Sequence, residues 1–441
     1  MPQATRTGAG ARLFRPLIGA LILVSAAAQF ALVPVMPVYA RRLGLSGFEQ
    51  GMVLGATGLA TLVVSVPAGA LSDRFGPRRI TLAAGLLMAA ATAAQALAGG
   101  FGALLAARLV FGAGYGMVWT AGLCWLAGAA VGGPPALGGA VASAAVGGVA
   151  GPAASGALAE HVGLAVPLLG TAAGFAVITA GLAVLRVPPG PAAPRAGSRP
   201  GLRAVTVNRD LAGAAAAVLT AGLSTGVCAL LVPALLHAAG ASPGQIGLDF
   251  AVAGILSVVG SGLTAAAGRR AVNLPVTCAA MLALTAALAI GVLSSASLIL
   301  VAMLCAATSA RSVLWTVSYP LAAEAAGRRG VGLGAAVGLL NGIWAATAVL
   351  GPMGAGLAAQ HLGDRAAFGL TDTACAAALA VTVAAAWRIR LPARRPAAAG
   401  GDATPALAAD APPWATPWTA DPFADCEARR SWPGQRSPSG K

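Results

Sequence analysis

The sequence predicts an all-α membrane protein with twelve transmembrane helices in two pseudo-symmetric six-helix bundles. Three observations carry this. The 441 residues are 58% hydrophobic and only 9% charged, whereas soluble domains carry about 25% charged residues. Twelve apolar runs are long enough to cross a bilayer, which takes about 20 residues. Short motifs in the first half recur in the same order in the second, at offsets of 196–200 residues.

The runs lie at 16–39, 50–71, 80–98, 102–126, 137–159, 164–186, 211–236, 247–267, 274–295, 298–322, 332–358 and 367–387. Irregular backbone is excluded from lipid, so each run is expected to be a helix. The first follows Arg6, Arg12 and Arg15 and is too long for a cleaved signal peptide, so it reads as a span. The segment between the sixth and seventh, VPPGPAAPRAGSRPGLRAVTVNRD, is rich in Pro, Gly and Arg and reads as a linker at the midpoint. The expected organisation is a cytoplasmic N-terminus at 1–15, a first bundle at 16–186, a linker at 187–210, a second bundle at 211–387 and a disordered cytoplasmic tail at 388–441.

The repeat is clearest in GPAASGALAEHVG at 151–163 against GPMGAGLAAQHLG at 351–363. LVP at 32–34 returns at 231–233, GLSGFEQG at 44–51 is echoed by GASPGQIG at 240–247, and Trp119-Thr120 by Trp315-Thr316. Parallel repeats place a substrate site between the halves, near the middle of the membrane.

The net charge of +15 does not point to nucleic acid, because the bases form no stripe with aromatics between them. They cluster in alternate connections: around Arg15, Arg74–Arg79, Arg195–Arg209, Arg269–Arg270, Arg328–Arg329 and Arg388–Arg395, with Arg41, Arg42 and Arg365 on the other side. The positive-inside rule then puts both termini in the cytoplasm. The six cysteines contain no CxxC, and the three histidines lack metal-ligand spacing. No metal, cofactor or enzyme activity is expected. Without a Walker loop, ATP is not expected to be the direct driver.

The connection between the second and third runs, GALSDRFGPRRITL, resembles the G-x-L-x-D-R-x-G-x-R signature of the major facilitator superfamily, through Gly69, Leu71, Asp73, Arg74, Gly76 and Arg78. Pro77 stands where the family usually has a base, with Arg79 beside it. The resemblance extends over roughly residues 14–390. It implies that this loop gates the cytoplasmic side, Asp73 facing the positive end of the eleventh helix and Gly69 permitting close approach. Setting topology alone is the plainer role for the arginines. The fifth run, GGVAGPAASG, is similar to the family's antiporter signature through Gly147, Gly151, Pro152 and Gly156, with Ser155 in place of a glycine. Packing of small residues is the alternative there. Pro34-Val35-Met36-Pro37 resembles the end of the first helix in the twelve-span drug:proton antiporters. Arg108 with Gly112, Gly114 and Gly116 looks like an R-x-x-x-G-x-G pattern whose arginine the family implicates in proton coupling, a structural hydrogen bond being the other role. A buried arginine is costly, at about 2.5 kcal/mol or more, and normally faces a cavity or a partner.

Acids are scarce in the runs. Asp372 in the last run and Arg311 in the tenth are candidate deep charges, either as a pair or as a substrate or proton site. Where relatives often have an acid in the first helix, this chain has Gln29. Arg108 and Arg311 beside a cavity would favour an anionic or zwitterionic substrate. Gln29, Tyr115, Trp119, Trp315, Asn341 and Trp344 are the candidate cavity residues, though each is also compatible with ordinary packing.

The expected protein is a monomeric secondary transporter of the bacterial inner membrane, exporting a small organic compound in exchange for protons, as multidrug efflux antiporters do. An importer of a small metabolite and a non-transporting membrane sensor on the same scaffold are the alternatives.

Overall fold

The computed structural model describes residues 3–129, 134–185, 209–329 and 333–390. The expected linker up to residue 208 and the expected tail from 391 onward lie outside the described residues, as do Arg195, Arg199, Arg203, Arg394 and Arg395. The helices are α1 (Gln3–Leu43), α2 (Gly47–Phe75), α3 (Pro77–Ala96), α4 (Phe101–Gly128), α5 (Pro134–His161), α6 (Val166–Val184), α7 (Arg209–Ala238), α8 (Pro243–Ala266), α9 (Leu274–Leu293), α10 (Ser297–Arg329), α11 (Leu333–Leu362) and α12 (Asp364–Arg390). Each contains a stretch long and apolar enough to span a bilayer. The chain is a multi-pass, all-α membrane protein.

Two boundaries differ from expectation. The first helix extends past the expected run at both ends, from Gln3 to Leu43, with its apolar span at Leu13–Leu43 and with Pro34 and Pro37 inside it. Proline's φ is helical, and what it removes is one backbone bond. The Ser155 hydroxyl of α5 donates to the Ala31 carbonyl, three residues before Pro34, at 2.6 Å and ties α5 to α1.

The GALSDRFGPRRITL turn is built from local chemistry. Gly76 has φ +88°, a conformation that side chains disfavour, and its N–H closes α2 on the Ser72 carbonyl at 2.9 Å. Pro77 then occupies the first turn of α3, where a missing N–H costs nothing. This accounts for a proline where the signature usually carries a base. Arg78 reaches across to the Ala183 carbonyl at the end of α6 at 2.6 Å, a cation on the negative end of a helix.

The repeat recurs as geometry. GLSGFEQG and GASPGQIG start α2 and α8 with the same capping box, Ser46 with Glu49 and Ser242 with Gln245. The halves meet mainly through α2 against α11 and α5 against α8. A Cβ on Gly51 would run into the Pro352 carbonyl, and one on Gly247 into the Pro152 carbonyl. At Gly58 it would meet Ala348 Cβ at 2.7 Å, and at Gly254 Val149 Cγ2 at 2.9 Å. The first two contacts follow the 196- and 200-residue offsets of the sequence echoes, and the second two follow them to within one residue. Small residues bring the backbones together, as expected where lipid supplies no hydrophobic drive between helices.

The buried core forks. On the face holding the α1–α2 turn (the far face), one cluster joins both halves, from Leu32, Met36 and Val53 through Leu230 and Ile246 to Leu304 and Phe368. On the face where α1 begins (the terminal face), two separate clusters replace it. Phe14, Ile18, Phe111 and Trp125 belong to the first half, and Leu211, Leu321, Ala325 and Leu340 to the second.

Candidate functional site

The fork of the core brackets a cavity of about 120 Å³. Its wall takes Gln29, Phe30 and Val33 from α1, Leu54, Thr57 and Gly58 from α2, and Arg108 and Tyr115 from α4. The other half contributes Gly222, Thr225, Gly226 and Ala229 from α7, and Trp344, Ala348 and Pro352 from α11. Of the expected cavity residues, Gln29, Tyr115 and Trp344 line it, as does Arg108. Phe30, Thr57, Thr225 and Pro352 were not expected. An aromatic at 30 and hydroxyls on α2 and α7 carry no sequence pattern that separates them from packing.

Arg108 is 1% exposed. Its Nη2 donates to the Gln29 carbonyl at 2.7 Å and the Gln29 Oε1 at 3.3 Å. Its Nη1 has two long contacts of 3.5 Å, to the Ala28 carbonyl and Gln95 Oε1, and its Nε–H has no partner. The guanidinium lies 5.0 Å from the Phe111 ring centroid. No acid is in its shell among the described residues. The Tyr115 and Trp119 rings are 5.9 Å apart on the next turns of α4. Trp119 opens onto a π-helical turn, Val118–Gly122, a device frequent at functional sites. Gly112 brings this part of α4 against Thr57, and the Thr61 hydroxyl bonds the Gly112 carbonyl at 3.1 Å.

Other candidates lie elsewhere. Arg311 donates to Thr308 Oγ1 at 3.0 Å and sits beside Cys228, while one of its Nη groups has no partner. It forms no ion pair with Asp372, whose Oδ1 is itself unpartnered among the described residues. Asn341 accepts from the Tyr319 hydroxyl at 2.8 Å. Trp315 packs between two core clusters.

The signature helices divide by end. In α5, Gly147 and Gly151 seat against the α1 backbone at Leu23 and Ala27, and Gly156 against Pro243 and Gly247 of α8. The Pro152 carbonyl faces Gly247. Asp73 is exposed and has no hydrogen bond among the described residues, which leave out 330–332 ahead of α11. Gly69 is not a close-approach site, a Cβ there meeting only Thr120 Cγ2 at 3.9 Å. Close approach on α2 belongs instead to Gly47, Gly51, Gly55 and Gly58, at the opposite end. Arg74 lies over the Phe75 ring, and Arg79 is exposed on α3.

On the terminal face the same helices stand clear of one another. A Cβ on Gly138 or Gly139 of α5, Gly262 of α8, or Gly338 or Gly342 of α11 would meet nothing within 4 Å. Val66 on α2 is 81% exposed.

Comparison with known proteins agrees with this architecture. A sequence model described as Major Facilitator Superfamily matches residues 18–336. The quinolone resistance protein NorA of Staphylococcus aureus is 31% identical over 86 residues, 20% of this chain and 22% of that protein. The arabinose-proton symporter of Bacillus subtilis is 35% identical over 99 residues, 22% of this chain and 21% of that protein. The chain thus matches only about a fifth of the length of these curated relatives. A bacterial homologue of the human lysosomal transporter Spinster, solved inward-facing and unoccupied, superposes with a TM-score of 0.72 at 16% identity, over 86% of this chain and 97% of that one. A D323A mutant of the nucleoside transporter NupG gives 0.67 at 13% identity, over 84% and 99%.

Proposed function

We propose that this chain, which belongs to the major facilitator superfamily, is a secondary active transporter that exports a small organic compound in exchange for protons by alternating access. The forked core carries the reading. One shared cluster seals the far face, two separate clusters leave the terminal face parted, and a cavity walled by both halves lies between. This is what rocking of two bundles about a central site requires.

In this reading residues 16–186 and 211–387 are the rocking bundles, joined by 187–210. The arginine clusters of the terminal face hold it in the cytoplasm of a bacterial inner membrane, so the structure is the cytoplasm-open state. Asp73, Arg74, Arg78 and Arg79 form the gate that meets α11 when that side closes, with Gly69 and Gly76 shaping the loop. Pro152 and Gly156 form the far-face seal against α8, while Gly147 and Gly151 hold α5 on α1 within the first bundle. Arg108 is the cavity charge or the proton-coupling residue, and Gln29, Tyr115 and Trp344 form the wall. Trp119, Trp315, Asn341, Arg311 and Asp372 do not line that wall. The transporter works as a monomer with no cofactor.

Export is favoured by the antiporter-like α5 and by the match to a protein named for quinolone resistance. Import is the second reading, favoured by the match to a symporter. Everted vesicles with a trapped pH dye separate them. A compound that drives proton release from energised vesicles, lost in Asp73→Asn, is the expected result. Uptake of a metabolite by right-side-out vesicles, without that exchange, would overturn export in favour of import.

A further inference from the structure

We infer that the central cavity selects an organic monoanion with an apolar body, and that Gln29 is the residue that makes it do so. This deepens the transporter reading and rests on it. Among the described lining residues Arg108 alone carries a charge. It is 1% exposed, and its Nε–H has no partner. The position on α1 that meets the guanidinium is held by an amide, with Gln29 Oε1 at 3.3 Å, and the second amide, Gln95 Oε1, is at 3.5 Å. Amides and backbone carbonyls satisfy donors but do not cancel charge.

A buried cation without a counter-ion is unfavourable, and a ligand that brings one negative charge removes that cost. Carboxylate and sulfonate groups also match the guanidinium fork. A cationic ligand meets the opposite situation, repulsion from Arg108 with no acid on the wall. The remaining wall sets the rest of the molecule. Phe30, Tyr115 and Trp344 offer aromatic faces, while Val33, Leu54 and Ala348 are aliphatic. Thr57 and Thr225 provide hydroxyls from opposite halves. The ligand chemistry is therefore a small amphipathic anion, its charge at α1 and α4 and its apolar part toward α7 and α11.

The test uses the full chain in lipid nanodiscs and three probes of one shape: 1-naphthoate, 1-naphthamide and 1-naphthylmethylammonium. Binding is read by quenching of tryptophan fluorescence. Removing Arg108 risks the fold, so the decisive variant is Gln29→Glu, nearly isosteric and placing a carboxylate against the guanidinium. Wild type is expected to prefer naphthoate over both other probes by at least tenfold. Gln29→Glu is expected to lose at least tenfold in naphthoate affinity relative to naphthamide, with the melting temperature retained. Equal binding of the three probes, binding of none, or a Gln29→Glu variant that keeps naphthoate affinity would each overturn the inference. Binding in nanodiscs does not depend on direction or proton coupling. Naphthoate binding without vesicle transport would fault the transport reading alone, and transport of neutral compounds without anion preference would fault this inference alone.

Discussion

The Glu160 carboxylate at the end of α5 accepts hydrogen bonds from the Gly244 N–H at 3.0 Å and the Ser242 hydroxyl at 2.7 Å, at the start of α8 in the other half. Its repeat counterpart, Gln360 at the end of α11, accepts from the Phe48 N–H at the start of α2 at 3.4 Å. The far face is thus latched twice by the same construction, once with a charge and once without. The Glu160 contact sets an anion on the positive end of a helix, worth about 0.3–1 kcal/mol at an exposed position. Glu160→Ala should shift the balance toward the far-face-open state about two- to fivefold. Spin labels across the far face, read by pulsed dipolar distances, should show the longer distance gaining population. An unchanged distribution would show that the latch carries no weight.

Gly51 and Gly247 hold equivalent places, each against a proline carbonyl of the partner half. Gly51→Val and Gly247→Val should force α2 from α11 and α8 from α5. Both should raise modification of far-face cysteine probes and abolish transport, with expression kept. Gly342→Ala, on the parted end of α11, should leave probe modification at the wild-type level. If all three behave alike, close approach is not what closes the far face.

Gly76 links α2 to α3 at φ +88°. Gly76→Ala should cost about 1–2 kcal/mol from backbone strain, seen as a lower melting temperature in detergent. Pro77→Arg, which restores the base usual in the signature, should change stability by less than about 0.5 kcal/mol, because a first-turn position tolerates either residue. A larger loss from Pro77→Arg than from Gly76→Ala would contradict this account of the turn.

Ser155 stands where the antiporter signature has a glycine, and its hydroxyl bonds the α1 backbone at Ala31. Ser155→Gly should lower stability by about 0.6–2 kcal/mol, in the range of interhelical hydrogen bonds in membranes. Ser155→Thr, which keeps the hydroxyl, should recover part of the loss. A neutral Ser155→Gly would mean that this hydrogen bond does not hold α5 to α1.

Much of the fold was legible because its causes are local. Twenty apolar residues must be a helix in lipid whatever surrounds them. The offsets between GPAASG and GPMGAG placed the second half on the first before any contact was known. Candidate cavity residues were less legible. Gln29, Tyr115 and Trp344 reach the cavity, but Trp315 turns into packing and Asn341 stands exposed beside Tyr319. One residue's periodicity does not say which of several faces of a bundled helix meets a void.

The sequence by itself determined the twelve spans, the repeat, the basic clusters and the Gly76–Pro77 turn, since each follows from hydrophobicity, spacing or the φ of a single residue. The tertiary structure alone decided which ends of α2, α5, α8 and α11 touch, that Asp73 stands exposed while Glu160 is engaged, that Arg311 and Asp372 do not pair, and that Arg108 meets amides. Those outcomes depend on contacts between helices distant in sequence, so no local pattern distinguishes them.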